Sequence, residues 1–193
     1  MTGWTRCLAV MFGLIVAGCS TTPTSLTYDA GKVVAPRQAA RFTVEIDAVT
    51  DDRNKDPNWL GAIRGGFGEP LKTITTEMPV KDVVKAGFAD GLKARGLVGG
   101  HSQFALRVSI ERFDCNQFFK REANARFSIS VVQKFSGRLV YHRETTGRRE
   151  GDFQLLGNGL FAEVEDLRKV ANSVMQDAID ETLNDPQFLA LLR

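Results

Sequence analysis

The chain is 193 residues long, 43% hydrophobic and 25% charged, a balance that supports one folded domain and excludes disorder along its whole length. Its formal net charge of +2 leaves no footprint for nucleic acid, and two histidines with three cysteines are little material for a metal cage.

Arg6 precedes an apolar run at 8–16, which small residues Ala17 and Gly18 separate from Cys19. A charged start, an apolar stretch and a small-residue end form the layout of a secretory leader. The run is about half the ~20 residues that span a bilayer, so it does not predict a retained membrane helix. Residues 20–40 are rich in Ser, Thr and Pro and read as a flexible tether, with Leu26-Thr27-Tyr28 as a short strand on the way. Such a tether reaches roughly 25 Å.

Residues 42–49 alternate, with Val44, Ile46 and Ala48 on one face, and predict a strand. Residues 51–68 are polar and glycine-rich and predict a long loop; 71–76 predict a short strand. The spacing of Val80, Val83, Val84, Phe88 and Leu92 predicts a helix over 79–95, opened by Pro79 and closed by Gly96. Gly87 and Gly91 weaken it by up to ~1 kcal/mol each relative to alanine, so packing must hold it. Residues 103–113 alternate with Phe104, Leu106, Val108 and Ile110 inward, and 123–135 with Ala125, Phe127, Ile129 and Val131 inward. Ser136-Gly137 predicts a tight turn and 138–150 a returning strand. Residues 160–183 predict the longest helix, seamed by Leu167, Ala171, Val174 and Ala178, and Asp185-Pro186 starts a short terminal one. The order strand, helix, three strands, helix predicts an α+β fold of two layers, an antiparallel sheet with the two main helices on one face. The expected organisation is a leader at 1–18, an anchor and tether at 19–40, and one domain at 41–193.

Few residues suit chemistry. Cys115 with His101 or His142 could make a nucleophile only if the fold brought them together, and no spacing requires that. No local ligand motif suggests zinc, and no catalytic set, metal or cofactor is expected. The stretch Gly61–Gly68 resembles a phosphate loop at first sight, but Phe67 stands where the lysine and hydroxyl pair should begin. Trp59 and Phe67 are large apolar residues in a polar loop, and with Asp51, Arg53 and Arg64 they are candidates for partner contact. Arg107 and Arg126 project from the polar sheet face and complete the candidate set; guanidinium groups there could hold a phosphate.

Val16-Ala17-Gly18-Cys19 resembles the lipobox of bacterial lipoproteins, which implies cleavage after Gly18 and acylation of Cys19. Two or more acyl chains anchor stably where one does not. Ser20 stands where an aspartate would signal inner-membrane retention, so the resemblance implies the outer membrane. With Cys7 in the leader and Cys19 acylated, Cys115 is the one thiol left and no internal disulfide is expected.

Further matches run along the chain: the lead-in at 24–36, a first strand ending Asp51-Asp52-Arg53, the helix end Leu92-Lys93-Ala94-Arg95-Gly96, the stretch 104–113, and Val170-Ala171-Asn172-Ser173-Val174 followed by 185–188. In this order they resemble the YajG-type family of bacterial outer-membrane lipoproteins. The resemblance implies an envelope lipoprotein rather than an enzyme. The functional expectation is a lipid-anchored, periplasm-facing domain that binds an envelope protein as an accessory of an assembly or lipid-transport system. The alternatives are a carrier holding a lipid in an apolar cavity, and a hydrolase using Cys115.

Overall fold

The computed structural model describes residues 20–33, 40–153 and 164–193. The leader, Cys19, the middle of the expected tether and the first turn of the expected long helix lie outside the described residues.

The strands are β1 (Ser20–Thr24), β2 (Val44–Asp51), β3 (Trp59–Arg64), β4 (Pro70–Thr76), β5 (Phe104–Gln117), β6 (Lys120–Gln133) and β7 (Leu139–Phe153). The helices are α1 (Val80–Ala94), α2 (Val164–Leu183) and α3 (Pro186–Ala190), with a single 3₁₀ turn at Ala30–Lys32. The α+β class holds. The sheet is mixed rather than antiparallel: its order is β1-β4-β3-β5-β6-β7, with β2 also on β5. β1 runs parallel to β4, and both β2 and β3 run parallel to β5. The long meander β5-β6-β7 and the β3-β4 hairpin are antiparallel.

β5 explains why so many strands gather. β6 covers one of its edges from end to end, while β2 takes Phe104–Ile110 and β3 takes Cys115–Gln117 on the other. A register shift between Ile110 and Arg112 changes the phase of β5, so Leu106, Val108 and Ile110 and then Phe113 and Cys115 are buried. The expected long loop therefore contains β3. Its Gly61 is required by contact: a Cβ built there would collide with the Cys115 carbonyl oxygen, so only glycine lets β3 lie this close to β5.

The expected tether is also corrected. Its residues 20–24 form the edge strand beside β4, and Leu26 and Tyr28 are buried in the core. The Tyr28 hydroxyl donates to Asp180 and accepts from Arg95 Nη1 at 2.8 Å. Arg95, itself buried, reaches Asp180 at 2.8 Å and Asn184 Oδ1 at 3.0 Å. This network clasps the lead-in to the end of α1 and to α2.

One continuous core contains the predicted apolar stripes of both main helices and the inward residues of β5 and β6. Phe127 meets Phe88 and Phe113 edge-on, with ring centroids 6.3 and 6.1 Å away. α2 lies against β5, β6 and β7, while α1 lies against β2 and α2. Gly87 and Gly91, costly in an isolated helix, leave room for Ile179 and Leu183 of α2. Gly96 closes α1 with φ +70°, as its place in the sequence predicts.

Candidate functional site

The structure divides the predicted site residues among three places. Asp51, Arg53 and Trp59 meet where β2 leaves β5 and β3 joins it. Arg53 donates to Asp51 through Nε and Nη2 at 2.7 Å each, and through Nη1 to the carbonyls of Trp59 at 2.8 Å and Phe113 at 3.0 Å. Its side chain is only 3% exposed, so its own chain encloses the guanidinium. Burial raises the Asp51 carboxyl, but the Arg53 bonds outweigh it and hold the group below its ordinary value of 3.8. Trp59 is half-buried, with the Lys55 ammonium 5.5 Å from its ring centroid. This cluster joins two strands over a gap in the ladder and keeps the Arg53 guanidinium turned inward.

Arg107 and Arg126 stand on the polar face of β5-β6-β7, exposed as expected. Both already have anionic partners: Arg107 binds Asp47 at 2.7 Å, and Arg126 lies 3.5 Å from Glu144. Ser109 donates to Asp52 at 2.6 Å, and Ser130 shares a hydrogen with His142 Nδ1 at 3.1 Å. Beside Arg107, Ser109 and Ser130 lies a shallow hollow of about 420 Å³, lined also by Ala48, Thr50, Val108, Val132 and Leu139. Leu139 is 55% exposed there. The face combines balanced charges with a small apolar floor, which suits a protein surface better than a lone phosphate.

Arg64 and Phe67 belong to a third place, the end of the sheet where the chain enters β1. The β3-β4 turn is pinned by Gly65 N–H to the Glu69 carbonyl at 2.8 Å and by Arg64 Nη1 to the Gly68 carbonyl at 3.0 Å. Phe67 sits at its tip, fully exposed. Beside it, the β5-β6 turn carries Phe118 and Phe119, whose ring centroids are 4.0 Å apart. A cleft of about 680 Å³ opens between the turns, with Arg64, Asn116, Phe118, Phe119 and Lys120 on its walls. Asn116 Oδ1 is buried with no hydrogen-bond partner among the described residues. The sequence reading did not single out Phe118 and Phe119; their signal was an apolar pair where two alternating runs meet.

Cys115 is fully buried, and burial pushes its thiol well above the ordinary range, away from the reactive thiolate. His101 and His142 are both exposed, so the fold does not seat either against that thiol. Among the described residues no group of three His, Cys, Asp or Glu side chains could hold a metal ion. No described helix is long and apolar enough to cross a membrane.

With a mixed sheet clasped to its own lead-in, and Cys115 buried away from both histidines among the described residues, comparison with known proteins defines the class. The chain belongs to a family of uncharacterised lipoproteins, whose family model matches residues 32–193. This is the YajG family that the sequence motifs resemble. Its fold is similar to that of a Xanthomonas campestris protein, at 14% identity and TM-score 0.57 over 91% of this chain and 94% of that one. A second, uncharacterised protein is 10% identical with TM-score 0.52 over 83% of this chain and 98% of that one. A Caulobacter crescentus chain is 14% identical with TM-score 0.43 over 68% and 88%. At these identities the first two likenesses show a shared fold and nothing more. No curated protein matches the chain.

Proposed function

We propose that this lipoprotein is anchored by acylated Cys19 to the periplasmic side of the bacterial outer membrane and works without catalysis, as a binding or accessory component of an envelope assembly or lipid-transport system. The observation that carries the reading is the open face of β5-β6-β7. Arg107, held by Asp47, borders a hollow with an apolar floor, and Arg126, paired with Glu144, stands on the same face, which together make a preformed surface for a protein partner. The family supports the anchor, and the buried Cys115 gives the hydrolase reading no reactive group.

The carrier reading needs apolar space between helix and sheet. Leu167, Ala171, Val174 and Ala178 fill that seam, and a Cβ on Gly147 of β7 would lie 3.0 Å from the Val174 carbonyl oxygen. α2 therefore rests directly on β7 there, with no room for an acyl chain.

The test is affinity capture from gently solubilised envelopes, reading proteins and lipids from one eluate. The wild-type chain should retain a protein at near-stoichiometric yield. A folded Arg107→Ala, Arg126→Ala, Leu139→Ser variant should lose it. Capture unchanged by that variant, or no retained protein, overturns the assignment of this face.

A further inference from the structure

Strand direction brings several separate features of the chain to one end of the sheet. β1 is parallel to β4, so Ser20 lies beside Lys72 at the end where the β3-β4 turn projects Phe67. β3 is parallel to β5, with Ile63 opposite Gln117, so the β5-β6 turn with Phe118 and Phe119 projects at that same end. Phe67 is 100% exposed and Phe119 60%. The three rings belong to turns in which no core packing requires an aromatic.

We propose that this end of the sheet is a membrane-contact surface, where Phe67, Phe118 and Phe119 insert into the interfacial layer of a phospholipid bilayer. The proposal rests on the reading that Cys19 is acylated. Under that reading only one peptide link, roughly 3.8 Å between Cα atoms, separates the anchor from Ser20. Ser20 already belongs to a strand, so no tether lifts the domain away. Three strand spacings, roughly 14 Å, separate β1 from β5, so both turns lie under the same patch of lipid as the anchor. Aromatic rings on turns next to an acyl anchor add the second attachment that fixes how a peripheral domain sits on a membrane. The charges around the rings are mixed: Arg64, Lys72 and Lys120 alternate with Glu69 and Glu122. The contact is therefore apolar in origin and should depend little on salt or on anionic lipid.

The fold supplies its own control. Phe135, 99% exposed, sits on the β6-β7 turn at the opposite end, roughly 40 Å away along β6. In the full chain carrying Trp4→Phe and Trp59→Phe, which removes both native tryptophans, a tryptophan is placed singly by Phe67→Trp, Phe119→Trp or Phe135→Trp, with the parent as blank. Each is processed in cells and reconstituted into phosphatidylethanolamine–phosphatidylglycerol vesicles with brominated acyl chains, and the N-terminal peptide is weighed by mass spectrometry. Quenching at 67 and 119 several-fold above that at 135, and retained in high salt, is expected. Equal weak quenching at all three positions on an acylated chain overturns the contact and leaves the anchor standing. Strong quenching at 67 and 119 on a chain without acyl groups supports the contact and removes the anchor reading. Neither acylation nor quenching overturns both.

Discussion

Replacing Arg53 by methionine keeps most of the side-chain volume and removes every donor it offers. The change takes a fork from the Asp51 carboxylate and one hydrogen bond each from the carbonyls of Trp59 and Phe113. Hydrogen bonds from a charged group contribute about 1.5–3 kcal/mol each, and breaking a buried ion pair by removing one partner costs about 3–5 kcal/mol. These contributions overlap, because Asp51 and Arg53 act as a unit, so about 3–5 kcal/mol is the expected total. That is a large part of the 5–15 kcal/mol typical of a folded domain. With a urea m-value of about 3 kcal/mol/M, the unfolding midpoint should fall by about 1–1.7 M at unchanged slope. Arg53→Lys should recover only part of this, because one ammonium cannot serve three acceptors in a plane. Asp51→Asn combined with Arg53→Met should cost less than the sum of the two. A midpoint drop under about 0.3 M for Arg53→Met would refute the structural role and return this guanidinium to the surface as a partner contact.

Gly61→Ala should separate β3 from β5, costing more than about 3 kcal/mol or abolishing soluble protein; a melt within about 1 kcal/mol of wild type would contradict the close approach to Cys115. Burial raises both tyrosines of the chain, Tyr28 to about 12, and Tyr141 further with the Asp185 hydrogen bond adding to burial. The fold holds both phenols neutral, so their contribution is complete below pH 10 and lost as pH rises through 12; phenolate absorbance should appear only with alkaline unfolding, and a tyrosine titrating near 10 in folded protein would oppose this. For Asp185, burial acts upward, but bonds from Gln187 N–H, Arg143 and Tyr141 outweigh it and hold the carboxyl below 3.8. Its contribution is therefore present above 3.8 and lost as pH falls through the lower folded value, so Asp185→Asn should flatten the acid limb of a stability-against-pH curve; an unchanged limb would count against the network.

Elements whose burial follows a local period were legible in the sequence. The stripes of α1 and α2 and the alternation in β5 and β6 name their core residues directly. β3 was not legible, because Gly61 and Ala62 face a packed neighbour and leave no alternation to read, and the surrounding polar residues resemble a loop. β1 was hidden by its Ser-Thr-Pro composition, which suits an edge strand as well as a tether. Parallel pairing is invisible locally, since β2 and β5 meet only after two further strands and a helix intervene. The same distance obscured the roles of charges: Arg53 finds Phe113 and Arg95 finds Asp180 across long stretches of chain. An arginine in a polar segment looks like a partner contact until the fold shows what surrounds it. Arg107 and Arg126 were legible as exposed, because a strand's polar face follows from its apolar one.

The central claim is that this fold begins immediately after a lipid anchor. Its most direct test is the mass of the mature N-terminal peptide, taken from fractionated envelopes of cells expressing the wild-type chain and Cys19→Ala. The account predicts a wild-type chain that starts at acylated Cys19 and separates with the outer membrane, and a variant without acyl groups that loses that association. A wild-type peptide that lacks acyl groups, or a variant retained on the outer membrane like wild type, would contradict it.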